Sequence, residues 1–73
     1  MPRAFDKEVQ ARMRVIHSFI RLNEDAVTRG DHILHRMYLN SILTQAITLM
    51  RMVPEAYVPD EIKMIVRSMR PQT

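Results

Sequence analysis

The chain has no cysteine and no tryptophan, a single glycine, and only two tyrosines and two phenylalanines. Without cysteine there is no disulfide to staple a small fold and no thiolate to hold zinc. One glycine cannot build the glycine-rich loop that cradles a nucleotide phosphate at a helix N-terminus. So few aromatic rings offer no stacking platform for bases. No window approaches the about 18 consecutive apolar residues of a membrane-spanning helix, so no membrane association is expected. The N-terminal run Met1-Pro2-Arg3-Ala4-Phe5-Asp6-Lys7-Glu8 is charged and lacks the apolar core of a secretory signal, which predicts a cytoplasmic location.

What is present points to helices. Hydrophobic residues make up 47% of the 73 positions, enough for a packed fold and too many for a disordered chain. The length predicts a single domain spanning residues 1–73. A chain this short buries only about 60% of its unfolded surface and is commonly marginal alone. With disulfides and thiolate metal sites excluded, self-association is the remaining way to complete the core. A net charge of +3 permits anionic partners without requiring one.

The chain is organised around residues 37–50. Arg36 precedes this run and Arg51 follows it, and there is no charge between them. A surface helix ordinarily carries charge on its solvent side. Here the least apolar side offers Asn40, Ser41, Thr44, Gln45 and Thr48, groups that another helix can cover. The pattern predicts a central helix covered on more than one side.

Residues 5–29 read as the first helix, with Val9, Ile16, Phe19, Ile20, Leu22 and Val27 among the apolar positions recurring at three- and four-residue steps. Glu8 and Arg12, four apart with the acid first, are placed to pair. Asn23 intrudes on the apolar side without such a partner. Arg29-Gly30-Asp31 is the break: glycine suits the left-handed position after a helix, and aspartate suits the N-cap of the next. The same tripeptide spells an integrin-recognition sequence, but its turn chemistry already accounts for both flanking residues. A connection this short predicts two antiparallel neighbours. The second helix covers residues 32–53, with a stripe of Leu39, Ile42, Leu43, Ala46, Leu49 and Val53, and Pro54 stops it. Residues 55–58 connect to a short third helix over 59–70, opened by Pro59-Asp60-Glu61 and carrying Ile62, Ile65, Val66 and Met69 on one stripe. The fold class is therefore all-α: an antiparallel helical hairpin plus a short C-terminal helix, completed as a bundle by self-association.

Extending the stripe of the second helix backwards changes its chemistry, because His32, His35 and Arg36 lie on the continuation. Antiparallel pairing puts Asn23 near His35, Arg36 and Leu39. This polar cluster has two readings. Asn23 and a histidine satisfy each other and set the register, as a buried asparagine does in coiled coils. Alternatively Asn23, His32, His35 and Arg36 form an anion pocket that takes phosphate or carboxylate through charge-assisted hydrogen bonds. His32 and His35 could share a helix face, but no further ligands stand at zinc spacing, so no metal is expected. No cofactor is expected. Neither Ser18, Ser41 nor Ser68 sits in a nucleophile motif, and adjacent His17 and Ser18 diverge on a helix, so no catalytic residue and no enzyme activity are expected.

Two further surfaces follow from the pattern. Ile33, Leu34 and Met37, with Met52, point away from the main stripe of the second helix. Together with Ser41, Thr44 and Thr48 they make a candidate surface for a second copy or a protein partner, which adaptable methionines suit. Lys7, Arg14 and Arg21 recur every seven residues on the outer side of the first helix, a row that could follow nucleic-acid phosphates, although Asp25 interrupts its surroundings.

Residues 42–54, Ile42-Leu43-Thr44-Gln45-Ala46-Ile47-Thr48-Leu49-Met50-Arg51-Met52-Val53-Pro54, resemble the closing helix of the TraM quorum-sensing antiactivators. That resemblance implies a small helical dimer that binds and disables a transcription factor. Leu34-His35-Arg36 with Leu39-Asn40 is similar to phage helical-hairpin proteins that sequester cyclic-nucleotide immune signals. Each resemblance covers less than a third of the chain and transfers no functional residue. The expected function is thus a non-enzymatic regulator or inhibitor that sequesters a protein partner, with an oligomeric binder of a nucleotide signal as the alternative.

Overall fold

A computed structural model describes residues 5–69. Three α-helices follow one another: α1, Asp6–Thr28; α2, His32–Met52; and α3, Asp60–Met69, with a single 3-10 turn at Glu55–Tyr57 before the last. There is no strand among the described residues. The expected boundaries at 5–29 and 32–53 lie within a residue of the observed ones. The expected end of the third helix at residue 70 lies outside the described residues.

The break between α1 and α2 forms as its residues dictate. Gly30 takes φ +73°, a conformation that costs any residue with a Cβ. It closes a Schellman motif: Asp31 N–H reaches back to the Ala26 carbonyl at 2.9 Å and Gly30 N–H to that of Val27 at 3.1 Å. Asp31 then caps α2, its Oδ1 accepting from Leu34 N–H at 3.0 Å. At the other end of α1, Phe5 stands in the left-handed region at φ 78°, unusual for a bulky residue. Its ring packs against Tyr57 of the 3-10 turn, centroids 5.3 Å apart.

α2 packs against both other helices. Asn23 meets His35 and Arg12 meets Gln45, so contacts move towards the end of α2 as they move towards the start of α1. The core joins Ile16 of α1, Ile42, Ala46 and Leu49 of α2, and Ile62 and Val66 of α3. Val53 and Val58 complete it from either side of the 3-10 turn. The connector is thus a folded corner that supplies two buried side chains, not a simple spacer. No described polar or charged residue is fully buried.

Two expectations about α1 are corrected. Its apolar side is wider than one neighbouring helix can cover, so Val15, Leu22 and Val27 stay 41%, 45% and 55% exposed. Arg12 reaches Gln45 Oε1 and Met52 Sδ on α2 instead of pairing with Glu8. The guanidinium, on a long apolar stem, spans the helix boundary where Glu8 would have held it on α1.

Candidate functional site

The polar cluster expected near the turn is only partly assembled. His35 Nδ1 lies 2.6 Å from Asn23 Oδ1. The amide oxygen can only accept, so the imidazole donates, and the two half-buried groups satisfy each other. His32 lies on the surface, over a small cleft of ≈ 220 Å³ shared with Ala26, Val27, Gly30 and His35. Arg36 was expected along the buried stripe. It is exposed, and it lines one cleft with Leu39, Leu43 and Met69 and another with His32 and Met37. Among the described residues it has no hydrogen-bond or ion-pair partner. Its position at the edge of the stripe lets its stem lie along apolar surface while the guanidinium remains in water.

Among the described residues, no three histidine, aspartate or glutamate side chains gather closely enough to hold a metal. Lys7, Arg14 and Arg21 are all exposed along α1. No described helix is long and apolar enough to cross a membrane.

A larger feature is the face of α1 and α2 that α3 leaves uncovered. α3 meets α1 at His17, whose Nε2 is 2.9 Å from Glu61 Oε1, and meets α2 near Leu43 and Met50. At about 100° per residue, Val15 and Leu22 lie across α1 from His17, and Ser41 and Thr48 lie across α2 from Leu43 and Met50. Phe19 and Tyr38, with ring centroids 6.2 Å apart, bridge the helices on this uncovered side. Leu34 is half-buried beside them, while Ile33 and Met37 extend the surface at 76% and 56% exposure. Thr44 is exposed, Ser41 and Thr48 are half-buried, and Met52 is held by Arg12 at one end. From Val15 to Ala26 on one helix and from Leu34 to Thr48 on the other, this side presents no charge. Periodicity did not single out the contribution of α1: Val15 and Leu22 lie on its apolar side as the core residues do, and their exposure depends on where α3 docks. The molecule measures 44 × 29 × 15 Å, thin across its least dimension, so the uncovered side belongs to a slab of helices and not to a closed bundle.

The chain matches no protein-family model, no curated protein and no solved structure.

Proposed function

We propose that this chain is a non-enzymatic regulator that pairs with a second copy through the uncovered side of an antiparallel α1–α2 hairpin and sequesters a protein partner. The observation that carries this reading is the charge-free surface of Val15, Leu22, Leu34, Ser41 and Thr48, lying opposite α3. A solvent-facing helix side without charge is unusual, and small polar groups among apolar ones let a second helix approach closely. Mating two such slabs encloses Phe19 and Tyr38 and gives each copy the second layer that a small core lacks. Ile33 and Met37, at the margin of that face, remain for a partner.

Sedimentation at micromolar concentration tests the reading. The wild-type chain sediments as a dimer or larger, and Ser41→Arg, which sets an unpaired charge where helices meet, shifts it to the monomer or unfolds it. A folded wild-type monomer overturns self-association.

A second reading has its own observation. His32 and Arg36, which has no partner among the described residues, stand four residues apart on α2 and line one cleft with Ile33, Met37 and Asn40. In this alternative the oligomer binds an anionic ligand, such as a nucleotide signal, through charge-assisted hydrogen bonds.

A further inference from the structure

Arg36, Leu43 and Met50 recur every seven residues on α2. They form one row along the helix, about 21 Å long at 1.5 Å per residue. Two clefts open along this row where α3 lies beside it. One, of ≈ 360 Å³, is bounded by Met50, Val66, Lys63 and Arg67, with Glu55 at its edge. The other, of ≈ 310 Å³, is bounded by Arg36, Leu39, Asn40, Leu43, Ser68 and Met69. Both clefts thus set apolar side chains beside cations, with Glu55 in the first and Asn40 and Ser68 in the second as the remaining polar groups. Among the described residues, Arg36, Lys63 and Arg67 have no hydrogen-bond or ion-pair partner, and Glu55 shares the first cleft without pairing with either cation. Of the two acids at the start of α3, Glu61 is taken by His17 and Asp60 is exposed, lining neither cleft. Three uncommitted cations thus border one apolar row.

We infer that the α2–α3 row bounded by Arg36, Lys63 and Arg67 is the docking site for an acidic amphipathic helix of a protein partner. An apolar floor between cations matches a helix that carries leucine-type residues at i, i+3, i+4 and i+7 and carboxylates on its flanks. A nucleic-acid backbone has nothing to place on Leu39, Leu43 and Met50, and no aromatic residue borders either cleft for bases to stack on. The row is compatible with self-association, because Leu43 and Ser41 project to opposite sides of α2. A dimer formed through Ser41 leaves both clefts open. The inference rests on the protein-binding part of the proposed function and is independent of the dimer.

The test uses the full chain and a labelled, end-capped helical peptide of about 14 residues, long enough to follow the row. Its leucines stand at i, i+3, i+4 and i+7, and glutamates flank them. One control peptide has lysine for every glutamate, and another has alanine for every leucine. Binding is read by fluorescence anisotropy, and oligomeric state by sedimentation of the same samples. The acidic leucine peptide binds, more weakly as salt rises, and neither control does. Reversing the exposed charges with Arg36→Glu and Arg67→Glu lowers its affinity about a hundredfold and transfers binding to the lysine peptide, while circular dichroism shows unchanged helicity. Three outcomes overturn the inference: no binding of the acidic leucine peptide, equal binding of its alanine counterpart, or affinity unchanged by charge reversal. Binding of duplex DNA or anionic phosphatidylserine vesicles in place of the peptide, lost on the same reversal, also overturns it in favour of a simple polyanion site. Failure of the peptide with the dimer intact removes the docking site alone. A folded monomer that binds the peptide removes the self-association reading alone.

Discussion

His35 Nδ1 donates to Asn23 Oδ1 across 2.6 Å, tying the last turns of α1 to the first turn of α2. The bond crosses the helix boundary close to Gly30. Removing one partner leaves the other half-buried group to find water. Asn23→Leu and His35→Leu each cost about 1 kcal/mol in denaturant unfolding, since each orphans its neighbour. The double variant costs less than the two single costs together by at least about 0.5 kcal/mol, because both polar groups are then gone. Strict additivity would show that the pair contributes no coupling.

Packing at the centre is more demanding. Leu49 is fully buried where the core residues of all three helices converge, whereas Met64 is 67% exposed on the outer side of α3. Leu49→Ala destabilises by about 2–5 kcal/mol, combining lost transfer energy with a cavity. Met64→Ala stays within about 0.5 kcal/mol of wild type. Thermal and denaturant melts at one fixed protein concentration distinguish the two, a necessary control if the chain associates.

At the turn, backbone strain and steric contact can be separated. A Cβ added to Gly30 meets nothing within 4 Å, yet the residue stands at φ +73°. Gly30→Ala therefore costs about 1–2 kcal/mol from the left-handed conformation alone. Gly30→Asn costs less, since asparagine tolerates that region. A larger loss for asparagine than for alanine would contradict a purely backbone origin.

Arg36 decides the second functional reading. It is exposed and has no partner among the described residues, so Arg36→Met leaves stability within about 0.5 kcal/mol of wild type. If the cleft at His32 and Arg36 holds a nucleotide, ligand at about a hundred times its dissociation constant stabilises the wild type by about 2.7 kcal/mol, and the methionine variant shows no such response. The stabilisation shrinks as salt rises. A nucleotide panel that leaves the wild-type melting temperature unmoved rejects this reading and leaves the protein-binding one standing.

Local chemistry already specified the helices and their ends. The apolar period of α1, the single glycine followed by aspartate, and Pro54 after Val53 act within a few residues of themselves, so their consequences do not depend on the rest of the chain. Asn23 and His35 were also legible as neighbours, because a short turn relates positions on the two helices by simple counting.

Three things depended on the docking of distant elements. Whether Val15 and Leu22 are core or surface is set by the side of α1 on which α3 settles, and α1's own period is the same in either case. Arg36 lies at the edge of the α2 stripe, where a rotation of a few tens of degrees separates a buried cation from one beside Leu43 and Met69, and the packing of the other helices against α2 decides between them. Val58 gave no periodic signal, since it follows a 3-10 turn, yet it is buried because that turn folds the chain back over Val53 and Ile62. Periodicity records which side of a helix is apolar. The tertiary arrangement settles how much of that side is covered, because a neighbouring helix shields only a limited arc and its position is set by the whole core.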